Sequence, residues 1–216
     1  MKADIETEYR RRYSCVLEPL ARDICSHIQE HLDGQPRIDR VTARAKSVNR
    51  FVAKAMAIKD GKPKYSEPLR QIQDQIGARI ITFYLQDVVR VSEIIEKYYR
   101  PVESKKIVPE TVWEFGYFGT HYILLTPTEL IQDSIDKALV PDFFELQIKT
   151  LFQHAWSEAE HDVGYKPELG KLTEDEVRQL AFTSAQAWGA DRIFSEMYER
   201  HSSHNLEDIV GSGTKA

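Results

Sequence analysis

Four cations crowd one short stretch of this chain: Arg44, Lys46, Arg50 and Lys54. Arg44 and Lys46 lie two apart in a segment that reads as a strand, so they share a face. Arg50 and Lys54 lie four apart in a segment that reads as a helix, so they share a face too. Around one strand-to-helix turn, such a group suits a triphosphate, because arginine offers a planar fork and lysine a compact charge. The same residues also fit a solvated basic face. Downstream, Asp74-Gln75-Ile76-Gly77-Ala78-Arg79 sets a carboxylate before a glycine turn and an arginine on the strand that follows. Taken alone, Asp74 fits a helix-end or turn aspartate equally well. In FFELQIK (143–149), Phe144, Leu146 and Ile148 point one way, and Glu145, Gln147 and Lys149 the other. That polar face meets either water or a ligand. Together Asp74 and Glu145 make a candidate Mg²⁺ site, since Mg²⁺ commonly takes one or two carboxylates plus nucleotide phosphates and waters.

Two further groups stand out. Gly116-Tyr117-Phe118-Gly119-Thr120-His121 has glycines that let a loop approach a ligand closely. Tyr117 offers an aromatic face for a base, and His121 a hydrogen-bonding ring. A tight turn with a core aromatic is the alternative. His154, Glu158 and His161 recur at spacings of four and three, so they share a helix face. The pattern differs from the His-Glu-x-x-His of zinc proteases. A hydrogen-bonded cluster beside an active site is the favoured reading, with a metal site as the alternative.

The elements that must position these groups follow from periodicity. Residues from about Asp4 to Leu32 read as one long helix, with a kink or break expected at Pro19. Strands are expected at Ile38–Lys46, Ala78–Tyr84, 118–126 and Phe143–Lys149. Helices are expected from a Ser47 cap to about Ile58, from Pro68 to near Gly77, at Asp87–Tyr99, at Leu151–Val163, and from Thr173 to about His201. Leu180, Ser184, Ala187, Phe194 and Tyr198 form the apolar side of the last, and 211–214 reads as a loose tail. The order predicts an α/β or α+β fold, a mixed sheet flanked by helices, with long helices at both ends. Three segments result: an N-terminal helix (1–36), a core (37–166), and a C-terminal helix with its tail (167–216).

Composition narrows the class. There are 29 Lys and Arg against 34 Asp and Glu, a net charge of −5, so a general nucleic-acid coat is not expected. Two cysteines ten apart on one helix cannot bridge each other. With no signal-like start and no apolar run of membrane length, a reduced, cytoplasmic location is expected.

In order and spacing, Arg44-x-Lys46, Lys54, Asp74-x-x-Gly77-x-Arg79, Gly116-Tyr117-x-x-x-His121, Glu145-x-Gln147-x-Lys149-Thr150, His154-Ala155-Trp156, Glu160-His161-Asp162 and Tyr165-Lys166 resemble the synthetase domain of the RelA/SpoT family. The resemblance runs from about Val41 to Lys166 and is strongest to compact, single-domain members. It implies a nucleotidyltransferase-like fold and a pyrophosphokinase that moves the diphosphate of ATP to the 3′-hydroxyl of GDP or GTP, releasing AMP. Arg44 and Arg79 would sandwich the adenine, and Lys46 and Lys54 would hold the phosphates. Asp74 and Glu145 would bind Mg²⁺, with Glu145 helping to deprotonate the attacking hydroxyl. Tyr117 would stack on the acceptor base, and His121 and Gln147 would line the acceptor side. The chain departs from the family at GYFGTH, where Gly-Tyr-Arg-Ser-x-His is usual, and at Arg50, where serine is usual. Compact members include toxins that modify the 3′ end of tRNA, so tRNA is the alternative acceptor. A catalytically silent nucleotide-binding module is a third reading. A second copy of the chain or an antitoxin are the candidate protein partners, and no membrane is expected.

Overall fold

The structure, a computed structural model, describes residues 2–109, 111, 114–116, 118–132, 136–164 and 172–212. The chain opens with α1 (Lys2–Arg12), a π-helical turn (Tyr13–Leu17) and α2 (Glu18–His31), which run on without a break. Pro19 brings no backbone N–H to the helical ladder. The widened turn lies directly before it, so the helix accommodates Pro19 by a local change of pitch rather than by stopping.

Five strands form the sheet: β1 (Ile38–Ala45), β4 (Ile76–Thr82), β5 (Pro101–Ile107), β6 (Gly119–Leu125) and β7 (Phe143–Thr150). Their spatial order is β1-β4-β7-β6-β5. Only β4 and β7 pair in parallel; the other neighbours are antiparallel. Between β1 and β4 come α3 (Val48–Ala55), a small hairpin of β2 (Ile58–Lys59) and β3 (Lys62–Pro63), and the single turn α4 (Pro68–Gln71). α5 (Leu85–Tyr98) follows β4, and α6 (Leu151–Gly164) and α7 (Glu174–Ser212) follow β7.

One face of the sheet is apolar because strand alternation directs Ala78, Ile80, Tyr122, Leu124, Phe144, Leu146 and Ile148 to the same side. Leu20, Ile24 and Ile28 of α2, and Val91 and Ile95 of α5, are buried with them in a single core. The helix of 1–36 therefore packs into the same hydrophobic cluster as the strands. Tyr9 stacks on Phe51, ring centroids 3.6 Å apart, and its hydroxyl donates to Lys46 O at 2.8 Å. Arg12, 6% exposed, donates to three carbonyls (Leu69, Leu139 and Val140) and to Gln75 Oε1. No helix among the described residues is long and apolar enough to cross a membrane.

Several expected boundaries need correction. The helix from Pro68 ends at Gln71, not near Gly77, so Asp74 sits in a turn and β4 begins at Ile76. The helix after Ser47 ends at Ala55 and gives way to the β2–β3 hairpin. β5 was not expected: nearly every residue of it is exposed, and an edge strand without an apolar face carries no alternating signal. The last helix continues to Ser212, where a loose tail was expected from 211. Its buried side is also more polar than expected. Phe194 is 49% exposed, whereas Ser184, Asp191 and Ser195 are buried. Asp191 is held there by the Thr150 hydroxyl, which donates to it at 2.8 Å.

Candidate active site

The opposite face of the sheet is polar, and strand register arranges it in rows. In one row Arg44 on β1 opposes Gly77 on β4, and Gly77 opposes Glu145 on β7. In the next, Thr42, Arg79, Gln147, His121 and Lys105 face one another in turn across all five strands. Opposed residues point to the same side of a sheet. Two adjacent rows thus gather Arg44, Arg79, Glu145, Gln147 and His121 on one face, although they span 104 positions of sequence from 44 to 147. Gly77 sits between Arg44 and Glu145, and a Cβ placed there would meet nothing within 4 Å, so the middle of the row is open.

Asp74 enters at the end of that row, in the turn before β4. The turn is tied down by Lys46 N–H donating to Gln75 O at 2.8 Å, and by the Gln75 side chain donating to Leu69 O and Ile72 O. Asp74 Oδ2 takes ion pairs from Lys46 Nζ at 2.8 Å and Lys54 Nζ at 2.9 Å. Lys54 reaches it from α3, four residues after Arg50. Burial pushes the Asp74 carboxyl up, but the hydrogen bonds and charge of Lys46 and Lys54 outweigh it and hold it below its ordinary range. Asp74 Oδ1 is buried and has no hydrogen-bond partner among the described residues.

Glu145 behaves similarly. Burial raises its carboxyl, while the hydrogen bond and charge of His121 and a hydrogen bond from Gln147 lower it further than burial lifts it. The nearby charge of Asp74 acts in the opposite sense, which places the two carboxylates within electrostatic reach. His121 Nδ1 lies 3.1 Å from Glu145 Oε1.

α6 closes one side of the site. Arg79 Nη1 pairs with Glu158 Oε1 at 2.5 Å. Lys149, 3% exposed, donates to Ser157 Oγ at 3.2 Å; burial and the charge of Arg79 bring its ammonium down to about 8. Of the trio His154, Glu158 and His161, Glu158 is thus committed to Arg79. His161 lines the same cavity as the catalytic candidates. His154 Nδ1 is buried without a hydrogen-bond partner among the described residues.

These groups surround a cavity of about 510 Å³, lined among others by Arg44, Lys46, Arg50, Asp74, Arg79, Glu145 and Gln147. Of the expected residues the structure brings together Arg44, Lys46, Lys54, Asp74, Arg79, His121, Glu145 and Gln147. Tyr117 lies outside the described residues, as do Tyr165 and Lys166. Two lining residues were not foreseen. Tyr13 arrives from the π-helical turn of the N-terminal helix. Ser47 occupies the N-cap position of α3, but its hydroxyl makes no capping bond and it borders the cavity.

A mixed α/β sheet flanked by helices, carrying two carboxylates and a ring of cations on one open face, defines the class: a domain whose polar face suits a nucleotide polyphosphate. A family model described as a region found in RelA / SpoT proteins matches residues 43–169, and the chain belongs to that family. GTP pyrophosphokinase YjbM of Bacillus subtilis (strain 168) is 29% identical over 175 residues, covering 79% of this chain and 76% of YjbM. GTP pyrophosphokinase YwaC of the same organism is 26% identical over 175 residues, covering 78% and 80%. Among solved structures, small alarmone synthetase 1 from Bacillus subtilis superimposes with a TM-score of 0.68 at 25% identity, over 90% of this chain and 96% of that one. The same synthetase bound to its product pppGpp gives a TM-score of 0.66, also at 25% identity.

Proposed function

We propose that this chain is a GTP pyrophosphokinase that moves the β,γ-diphosphate of ATP to the 3′-hydroxyl of GDP or GTP, making (p)ppGpp and releasing AMP. The observation that carries the reading is the alignment of Arg44, Gly77 and Glu145 in one row and Arg79, Gln147 and His121 in the next, with Asp74 at the edge. It is supported by relatives named GTP pyrophosphokinases and by the likeness to a synthetase bound to pppGpp.

In this reading Arg44 and Arg79 hold the adenine between their guanidinium planes, and Lys46 and Lys54 exchange Asp74 for phosphate oxygens. Asp74 and Glu145 suit Mg²⁺: both are ionised at neutral pH, and Asp74 Oδ1 is an acceptor without a partner among the described residues. When bound, the ion would offset charge on the transferring phosphates. Glu145 accepts the proton of the ribose 3′-hydroxyl; of the two carboxylates it is the one not paired to two lysines. The hydroxyl oxygen then bonds to the β-phosphorus as the bond from that phosphorus to the α-phosphate oxygen breaks, and AMP leaves with the electron pair. Such a transfer depends on positioning and charge neutralisation, which this face is built to supply. His121 and Gln147, next along the row, face the acceptor, and Tyr117 stacks on its base.

The test is to incubate the protein with ATP labelled at the γ-phosphate and Mg²⁺, offering GDP, GTP, ATP and bulk tRNA separately. Label in GDP or GTP is the expected result. Label only in tRNA would make the chain a tRNA pyrophosphokinase, and no label in any acceptor would make it a nucleotide-binding module.

A further inference from the structure

A second cavity, of about 490 Å³, takes no part in the proposed transfer. Val88 and Val89 of α5, Thr120 of β6, Trp156 of α6, and Trp188 and Asp191 of α7 line it. Thr120 precedes His121 on β6, so strand alternation turns it to the opposite face of the sheet from the catalytic cavity. The helical walls are tied to one another. Leu85 N–H donates to Ser195 Oγ at 3.0 Å, which fixes α5 to α7, and Trp156 Nε1 donates to Thr183 Oγ1 at 3.1 Å, which fixes α6 to α7. The lining is mainly apolar, and Val89 and Trp188 stay 60% and 41% exposed, so apolar surface is left uncovered there. A preformed, mainly apolar cavity of this size with a few polar groups is the usual form of a small-molecule site.

Asp191 gives the cavity its chemistry. The residue is 3% exposed, and its Oδ2 accepts from the Thr150 hydroxyl at 2.8 Å. Its Oδ1 is buried and takes no hydrogen bond among the described residues. Arg192, next in the chain, also lines the cavity but is engaged elsewhere. Its guanidinium lies 5.1 Å from the centroid of the Trp188 ring, and its Nε is 3.9 Å from Glu196 Oε1. Lys106 of β5, the other cation of the lining, is exposed to solvent. Burial pushes the Asp191 carboxyl up to about 6, against the lowering influence of the Thr150 and Gln153 side chains, so it is mostly ionised at neutral pH. A carboxylate in apolar surroundings is costly until a cation joins it.

We propose that this cavity binds a small organic cation, with a flat apolar body between α5 and the indole of Trp188 and a protonated nitrogen that donates to Asp191 Oδ1. The ligand supplies the counter-charge that Asp191 lacks among the described residues. Trp156 and Trp188 favour the same kind of ligand, because a cation is attracted to an aromatic face. An amidinium suits the carboxylate well, since its planar N–H groups make charge-assisted bonds of the kind that arginine makes.

Benzamidine is the probe, with benzamide as its uncharged and benzoate as its anionic counterpart, each titrated into the full chain by calorimetry. The expected result is one equivalent of benzamidine, with benzamide and benzoate weaker by at least about tenfold, because neither forms the charge-assisted pair. Asp191→Asn keeps an acceptor for Thr150 and should weaken benzamidine by at least about tenfold, to the level of benzamide. Ala187→Phe, at another lining position, fills the cavity and should remove binding. Circular dichroism and urea unfolding check that both variants fold. In the wild type the affinity should fall about tenfold between about pH 7 and about pH 5, as Asp191 takes up a proton and loses its charge. The double variant Asp74→Asn/Glu145→Gln, which removes the acids of the catalytic cavity, should bind benzamidine as wild type does. The proposal is overturned if wild type takes up no benzamidine, if Asp191→Asn binds it equally well, or if binding disappears with Asp74 and Glu145 instead.

Discussion

His121 Nδ1 sits 3.1 Å from Glu145 Oε1, although the residue that opposes His121 across the β6–β7 pair is Gln147. The contact is diagonal, which long or aromatic side chains reach on a sheet face. It has a consequence for pH dependence. The folded carboxyl of Glu145 lies below its ordinary value because His121 and Gln147 outweigh burial. The stability that this shift contributes is therefore present above the unfolded value, about 4.3 for a glutamate, and is lost as pH falls through the lower folded value. In kcat/KM the acid limb that reports Glu145 should lie in that same low range. His121→Asn removes the strongest group that lowers it, so the limb should move to higher pH, whatever happens to the plateau. A pH–rate profile checks this, and an unmoved limb means that Glu145 is not the group titrating.

Asp74→Asn and Glu145→Gln should each abolish diphosphate transfer while the fold persists. In the proposed site, losing one carboxylate would remove a ligand for Mg²⁺, yet neither residue belongs to the buried hydrophobic core. Transfer to GDP and the far-UV circular dichroism spectrum are the two measurements. Near-normal turnover in either variant would refute the paired-carboxylate site.

Arg79 is held by Glu158 at 2.5 Å, so its guanidinium is positioned before any nucleotide arrives. A cation over an aromatic face is worth about 0.5–2 kcal/mol. Arg79→Ala should therefore weaken a non-hydrolysable ATP analogue by roughly three- to thirty-fold in calorimetry. Glu158→Gln should have a smaller effect in the same direction, since the arginine remains but its anchor is weaker. Unchanged affinity in Arg79→Ala would place Arg79 outside the adenine site.

The N-terminal helix supports the site through two polar contacts. Tyr9→Phe removes the bond to Lys46 O and should cost about 0.5–1.5 kcal/mol in urea unfolding. Arg12→Ala leaves the part-buried carbonyls of Leu69, Leu139 and Val140 without this donor. Each such group costs about 1–3 kcal/mol when unpaired, so a loss greater than about 2 kcal/mol is expected. Arg12→Lys should not restore it, because an ammonium cannot fork across four acceptors. Stabilities equal to wild type would show that the helix is held by its apolar face alone.

Tyr117 tests the acceptor. Base–aromatic stacking is worth about 1–3 kcal/mol. Tyr117→Ala should lose labelling of the preferred acceptor, Tyr117→Phe should keep most of it, and affinity for an ATP analogue should survive both changes. Full labelling by Tyr117→Ala would remove Tyr117 from the acceptor site.

The residues of the candidate site were legible in the sequence because their chemistry is local. The alternation in 143–149 assigns Glu145 and Gln147 to one face of a strand, and a four-residue step puts Arg50 and Lys54 on one face of a helix. The helical ends and four of the five main strands were readable on the same grounds. What the tertiary structure decided is everything that depends on partners distant in the chain. The parallel pairing of β4 with β7 sets Gly77 between Arg44 and Glu145, and no pattern within either strand specifies that register. Edge strand β5 escaped because it buries no face and so leaves no periodic trace. Tyr13 opens a π-helical turn, whose pitch departs from the 3.6-residue repeat, and it borders the cavity. The commitment of Glu158 to Arg79, and of Lys46 and Lys54 to Asp74, depends on how α6 and α3 dock on the sheet. Periodicity tells which side of an element is polar, but the partner that a charged side chain meets is chosen by packing between elements.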